Sequence, residues 1–224
     1  WGTDCWRYRN VVGAFRLKAR PEIIQTGPIR TITESVFVYK KSRIMLETMS
    51  YPDWPVLEFR LRIVWNEARK RLKLSLPTVF KSPSVLAEVP GGAISRPADG
   101  EEHVHGRWIL VQGRAADGKE TALAVVNSGQ PGFDFKDGEI RLSVLRSAAY
   151  CHEQGFKIGR FPARKFADLG VHEVRLLVTA GDPEKVRRML PGLADWLSAS
   201  PFALAHLPIG LGKNNSLSPP IGGG

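Results

Sequence analysis

Leu57-Glu58-Phe59-Arg60-Leu61-Arg62-Ile63 alternates between apolar and charged residues at every step. A β-strand points successive side chains to opposite faces, so this stretch has one oily face and one charged face. A helix would need its apolar residues three and four apart, which this run does not supply. Arg69 to Leu76 repeats the pattern, with Leu72, Leu74 and Leu76 inward. The intervening Asn66-Glu67-Ala68-Arg69 reads as a hairpin connection between the two strands.

Strand signals continue outward from this pair. They cover 36–39, following a turn-like Gly27-Pro28, then 42–49, 107–112, 121–126, 139–145 and 171–178. Asp137-Gly138, within 134–140, is a strong hairpin cue. The stretch 147–170, rich in Gly, Lys, Arg and Phe, reads as a loop. Asp182-Pro183-Glu184 starts one helix, with Asp as cap, Pro in the first helical position and an acid in the first turn. Pro191-Gly192 is expected to break that helix, because an interior proline removes a backbone hydrogen bond. The fold class is therefore all-β: a large antiparallel β-sandwich with one peripheral helical segment. Residues 1–215 are read as one domain and 216–224 as a flexible tail or truncated end.

Composition bounds the function. The 224 residues are 43% hydrophobic and 24% charged, the balance of a globular protein. Only two cysteines occur, Cys5 and Cys151, which points to a reducing compartment such as the cytoplasm, with one long-range disulfide left open. No apolar run approaches the roughly 20 residues of a membrane span, so no membrane partner is expected. Trp1-Gly2-Thr3-Asp4 lacks an initiator Met and the regions of a signal peptide, as a fragment, a processed chain or an excised piece would. The net charge of +10 invites a nucleic-acid reading. The basic residues, however, sit at alternate strand positions (Arg60 and Arg62; Arg69, Arg71 and Lys73), as on a solvated sheet face, and no nucleic-acid partner is expected.

No complete catalytic or metal site is present. His103 and His105 would share one side of a strand, as metal ligands do, but no third ligand is evident beyond the adjoining Glu101 and Glu102. We read them as part of a polar loop. Asp168, His172 and Glu173 could suggest acid–base work, yet no nucleophile accompanies them, and we read them as the start of a strand. The loop from Asn127 to Asp134 follows a clean apolar strand and lacks the Gly-Lys-Ser/Thr of a phosphate loop. Two readings of it stay open: an amide- and carboxylate-bearing sugar contact, or an ordinary inter-strand turn. Trp6, Trp54, Trp65, Trp108 and Trp196 are scattered and read as core or half-buried residues.

These loops and strands, in order, resemble the C-terminal β domain of glycoside hydrolase family 38, the class II α-mannosidases. Tyr8-Arg9 through Gly13 and Phe15 looks like the family's opening of this domain, and Gly27-Pro28-Ile29-Arg30 like its Gly-Pro-Val-Arg strand start. Glu58 to Glu67 is similar to the family's "EFRTRVDWHE", Ile94-Ser95-Arg96-Pro97 to "IERP" and Arg107-Trp108 to "RW". Ala122 to Asp134 resembles "GLAVLNDGKYGYD", Leu142 to Ser147 "LSLLRS", and Asp168 to Glu173 "DQGEHEF". Ser128, Gln130 and Pro131 depart from the family's Asp, Lys and Tyr in the loop.

The resemblance implies a supersandwich of the galactose-mutarotase-like type that is not itself catalytic. Family members are retaining, zinc-dependent α-mannosidases whose two catalytic carboxylates and zinc ligands lie on an N-terminal β/α barrel. Nothing in this chain matches those segments, so zinc is implied only for the full-length enzyme, and no catalytic or metal residue is assigned here. The implied partners are that catalytic barrel and a mannose-containing glycan, with a homo-oligomer possible through the face the barrel would cover. Arg146 is the first candidate for a sugar contact, because a guanidinium can bridge two hydroxyls; Asn127 and Asp134 follow. For Arg146 the reading as a surface arginine at a strand end stays open. The alternative function is a stand-alone carbohydrate-binding β-sandwich module.

Overall fold

The structure is a computed structural model and describes residues 7–148 and 166–199. In chain order the strands are β1 (Arg16–Leu17), β2 (Glu22–Thr26), β3 (Thr31–Tyr39), β4 (Ser42–Tyr51), β5 (Trp54–Trp65), β6 (Arg71–Pro77) and β7 (Lys81–Val89). They continue with β8 (Gly92–Arg96), β9 (His103–Val104), β10 (Trp108–Arg114), β11 (Glu120–Asn127), β12 (Gly132–Lys136), β13 (Glu139–Arg146) and β14 (Gly170–Gly181). One helix, α1 (Pro183–Ser198), follows. The large sheet runs β1-β3-β4-β5-β14-β11-β10-β7-β8, with β2 also pairing β3. The small sheet runs β6-β13-β12-β9. All pairings are antiparallel.

The main core lies between the sheets. Leu61, Ile63 and Trp65 of β5 meet Phe133 and Phe135 of β12 and Ile140 and Leu142 of β13. Each such side chain, once fully buried, contributes about 1.5–3 kcal/mol. From Phe59 to Trp65 the alternation in β5 points its apolar face at the small sheet, while Leu57 stays exposed. A second core sits on the opposite face of the large sheet, beneath α1. Val186, Leu190, Leu193, Ala194 and Leu197 form one stripe of the helix and pack on Trp108, Leu110, Ala122, Ala124, Val126 and Leu177. Strands β10, β11 and β14 are covered on both faces, which explains their unbroken runs Ile109-Leu110-Val111 and Val125-Val126. The alanines of β11 let the helix approach closely.

Two expectations are corrected. Strands β5 and β6 do not form a hairpin: they belong to different sheets, and residues 66–70 turn the corner between them. Ser147 secures that corner. Its hydroxyl accepts from Trp65 Nε1 at 3.0 Å and donates to the carbonyl of Glu67, and its backbone exchanges bonds with Arg69 and Lys70. The helix is also unbroken at Pro191. Packing of Leu190, Leu193 and Ala194 on the sheet outweighs the one lost backbone bond. Asp182 caps the helix as expected, accepting from Lys185 N at 3.0 Å. The Asp137-Gly138 hairpin joins β12 to β13 with both residues at positive φ, 53° and 77°. The expected loop at 147–170 falls mostly outside the described residues, as do both cysteines and the 216–224 tail.

Candidate functional site

The loop that follows β11 is tied down from beneath. Asn127 is only 3% exposed. Its amide donates to the carbonyls of Gly106 and Arg107, both at 3.1 Å, and its side-chain oxygen accepts from the backbone N–H groups of Gly129 (2.9 Å) and Gln130 (2.7 Å). The amide also lies 3.4 Å from His105 Nδ1. Gly129, at φ 129°, makes the sharp turn over this post. His105 is itself buried, with its backbone N–H donating to Pro131 and its ring edge-on to Phe133 at 5.1 Å. Burial pushes its pKa down to about 4, so the ring is neutral near pH 7. His103 also contacts the Phe133 ring, and its Nε2 lies 3.3 Å from Asp99 Oδ1.

Asp134 anchors a buried charge network on the outer face of the small sheet. It is 0% exposed and meets Arg9, Lys73 (2.5 Å) and Arg141 (3.1 Å). Lys73 also bonds Glu102, which pairs with Arg71 at 2.9 Å, and Arg9 bonds Glu139 at 3.0 Å. Tyr8 closes the assembly, its ring 3.6 Å from the Arg71 guanidinium and its carbonyl accepting from Arg141. Alternate positions in β6, β12 and β13 put these charges on one face, but only the pairing of three strands and the overlying N-terminal segment bring them together.

Arg146 ends β13. Its backbone N–H faces the Asp168 carboxylate at 3.4 Å; the residue is half-buried, and its guanidinium has no hydrogen-bond or ion-pair partner among the described residues. Asp168 sits at φ 53° just before β14, with its carbonyl 2.9 Å from His172 Nε2, the geometry of a strand start. Of the three residues expected to meet sugar, Arg146 therefore presents an unengaged polar group, whereas Asn127 and Asp134 are fully engaged within the fold.

Sequence reasoning missed a groove of about 570 Å³ on the outer face of β3, β4, β5 and β14, beyond the reach of α1. Glu34, Glu47, Arg60, Arg62, Glu173 and Arg175 line it, and Ser128 brings the loop to its rim. Beneath them Glu58, 1% exposed, accepts from Tyr51 (2.8 Å), Arg60 (2.9 Å) and Arg175 (3.0 Å). Burial alone would raise its pKa, but these bonds outweigh burial and hold the carboxyl below its usual range. The only sequence signal was the charged side of the alternating β5 run, which looks the same whether bare or occupied. Among the described residues, no three His, Cys, Asp or Glu side chains are placed to hold a metal ion. No helix among them is long and apolar enough to cross a membrane.

No curated protein matches the sequence. A structure of a glycosyl hydrolase family 38 protein from Enterococcus faecalis is similar over 81% of this chain and 25% of its own, at TM-score 0.65 and 11% identity, a likeness of fold. The family 36 α-galactosidase AgaA from Geobacillus stearothermophilus, in complex with raffinose, matches over 75% of this chain and 26% of its own, at TM-score 0.41 and 15% identity. The chain spans about a quarter of the length of these structures. The family model described as "Glycosyl hydrolases family 38 C-terminal domain" matches residues 7–154, from the strap bearing Tyr8 and Arg9 past the end of β13. The chain belongs to that family of glycosyl hydrolase family 38 C-terminal domains.

Proposed function

We propose that this chain is the non-catalytic C-terminal domain of an α-mannosidase, packing on an N-terminal catalytic barrel and helping to shape the sugar site. The match to the family's C-terminal domain over residues 7–154 carries the reading. Arg146 is the direct sugar contact: its guanidinium has no partner within the described fold, and its planar fork suits a pair of hydroxyls. Asn127 and Asp134 serve the site indirectly, by setting the loop and the outer face of the small sheet. Zinc and the two catalytic carboxylates belong to the barrel.

The test is hydrolysis of an aryl α-mannoside with added zinc, by the 224-residue chain and by the complete polypeptide that its gene encodes. Activity is expected in the complete polypeptide alone. Arg146→Ala in that polypeptide should lower kcat/KM by roughly 10-fold or more while leaving thermal stability unchanged. Turnover by the 224-residue chain itself would sink the reading, as would full activity of the variant. The groove beside Ser128 favours a second reading, a stand-alone carbohydrate-binding module. NMR titration of this chain with mannose would support it by shifting resonances around Arg60 and Arg175; a flat titration would remove it.

A further inference from the structure

Of the twelve large hydrophobic side chains that the described residues leave exposed, six fall within residues 11–29. They are Val11, Val12, Leu17, Ile23, Ile24 and Ile29, between 46% and 75% exposed. Register places Leu17 and Ile23 on one edge of the large sheet, with Ile24 in the same strand as Ile23, and Val11, Val12 and Ile29 in the segments that lead into β1 and β3. Leu17 of β1 lies opposite Phe37, Ile23 of β2 opposite Thr33, and Ile29 in the turn that leads into β3. Residues 31–38 of β3, six of which pair along this edge, span about 25 Å. The outer side of β2 has no neighbouring strand among the described residues, so its backbone groups are open to pairing.

This edge is held in place. The strap carrying Val11 and Val12 is fastened on one side by Arg9, through Asp134 and Glu139. On the other side Gly13 lies so close to the Tyr39 ring that any Cβ would overlap it. Phe15 then packs against Tyr39 and Trp65, with ring centroids at 5.7 and 6.4 Å. The valines are displayed by a clamped segment. Arg16, Lys18 and Arg20 rim the patch, all exposed and without ion-pair partners among the described residues. Proteins normally blunt a free, apolar, β-branched edge; here the charges flank the edge and leave Ile23 and Ile24 bare.

We propose that this edge is the docking surface for the N-terminal part of the same polypeptide. The face it meets is apolar, with carboxylates set against Arg16, Lys18 and Arg20. Two observations choose this occupant: the family is a C-terminal domain, and the chain spans only a quarter of the length of the Enterococcus faecalis protein. The inference rests on the reading of the chain as one domain of a longer glycosidase, and it names which surface the rest of that enzyme covers.

Hydrogen–deuterium exchange, read by mass spectrometry on the 224-residue chain and on the complete polypeptide, tests it. Amides of 11–17 and 22–26 should exchange at least about ten-fold more slowly in the complete polypeptide, while β8, the opposite edge strand, should not change. Equal exchange in the two proteins overturns the proposal, and so does protection at β8 instead. Ile23→Lys together with Ile24→Lys should abolish that protection in the complete polypeptide yet leave the melting temperature of the 224-residue chain unchanged, because both side chains are solvent-facing there. Self-association of the short chain through β2, with no protection in the complete polypeptide, would make a second copy the occupant and refute the proposal. Protection without aryl α-mannoside hydrolysis would leave the docking surface standing and remove the mannosidase reading; hydrolysis without protection would do the reverse.

Discussion

Acidification should destabilise this domain through one residue, His105. Its side chain is buried beneath the 127–131 loop, and burial is the largest cause of its lowered pKa. The carboxylate of Glu88 pulls the other way, while Arg96 adds to the lowering. The folded pKa is about 4 against an ordinary 6.5, so the unfolded chain takes up a proton that the folded chain refuses. Stability from this group is therefore complete above pH 6.5 and falls as the pH drops toward 4. Each pH unit inside that window costs about 1.4 kcal/mol, for a total of about 3 kcal/mol near pH 4. Urea unfolding followed by tryptophan fluorescence, at steps from neutral pH to about 5, isolates this group, because carboxylates titrate mostly below that range. His105→Gln should start less stable, having lost packing against Phe133, and should lose much less stability between neutral pH and pH 5. An identical pH slope in both proteins, or an imidazole that titrates by NMR at or above 6.5, would refute the reasoning.

Three further outcomes follow from the same structure. Asp134→Ala leaves Arg9, Lys73 and Arg141 without their shared buried carboxylate and should cost roughly 3 kcal/mol or more in urea denaturation, since breaking a buried ion cluster strands its remaining charges. Pro191→Ala restores a backbone donor inside α1 and should raise stability by on the order of 1–3 kcal/mol, seen as a higher melting temperature. Gly13→Ala sets a methyl group against the Tyr39 ring and should speed amide exchange of residues 9–17 without altering that of the strands beneath α1.

Much of the fold could be read from local chemistry. The strict alternation of residues 57–63 depends only on which face meets oil, and β5 spans Trp54–Trp65 with Leu61 and Ile63 in the core. The Asp137-Gly138 turn and the Asp182 cap are likewise set by residues within four positions of one another. Strands β7 and β8 escaped notice because Lys81 to Arg96 mixes polar and apolar residues without a clean period. Pro191 misled because helix propensity is a local quantity, whereas the energy that keeps α1 continuous comes from the sheet beneath it. The candidate site was less legible. Asp134 and Glu58 sit at strand positions that look solvated, and only their cross-strand partners show that they are buried.

By itself, the order of residues determined the β class and the family, because periodicity, turn chemistry and motif spacing are written along one dimension. Tertiary structure alone decided which sheet each strand joins, which charges are buried and which edge stands bare. Those outcomes depend on contacts between residues up to 133 positions apart, as in the bond from Arg141 to the Tyr8 carbonyl, and no local pattern encodes such a pairing.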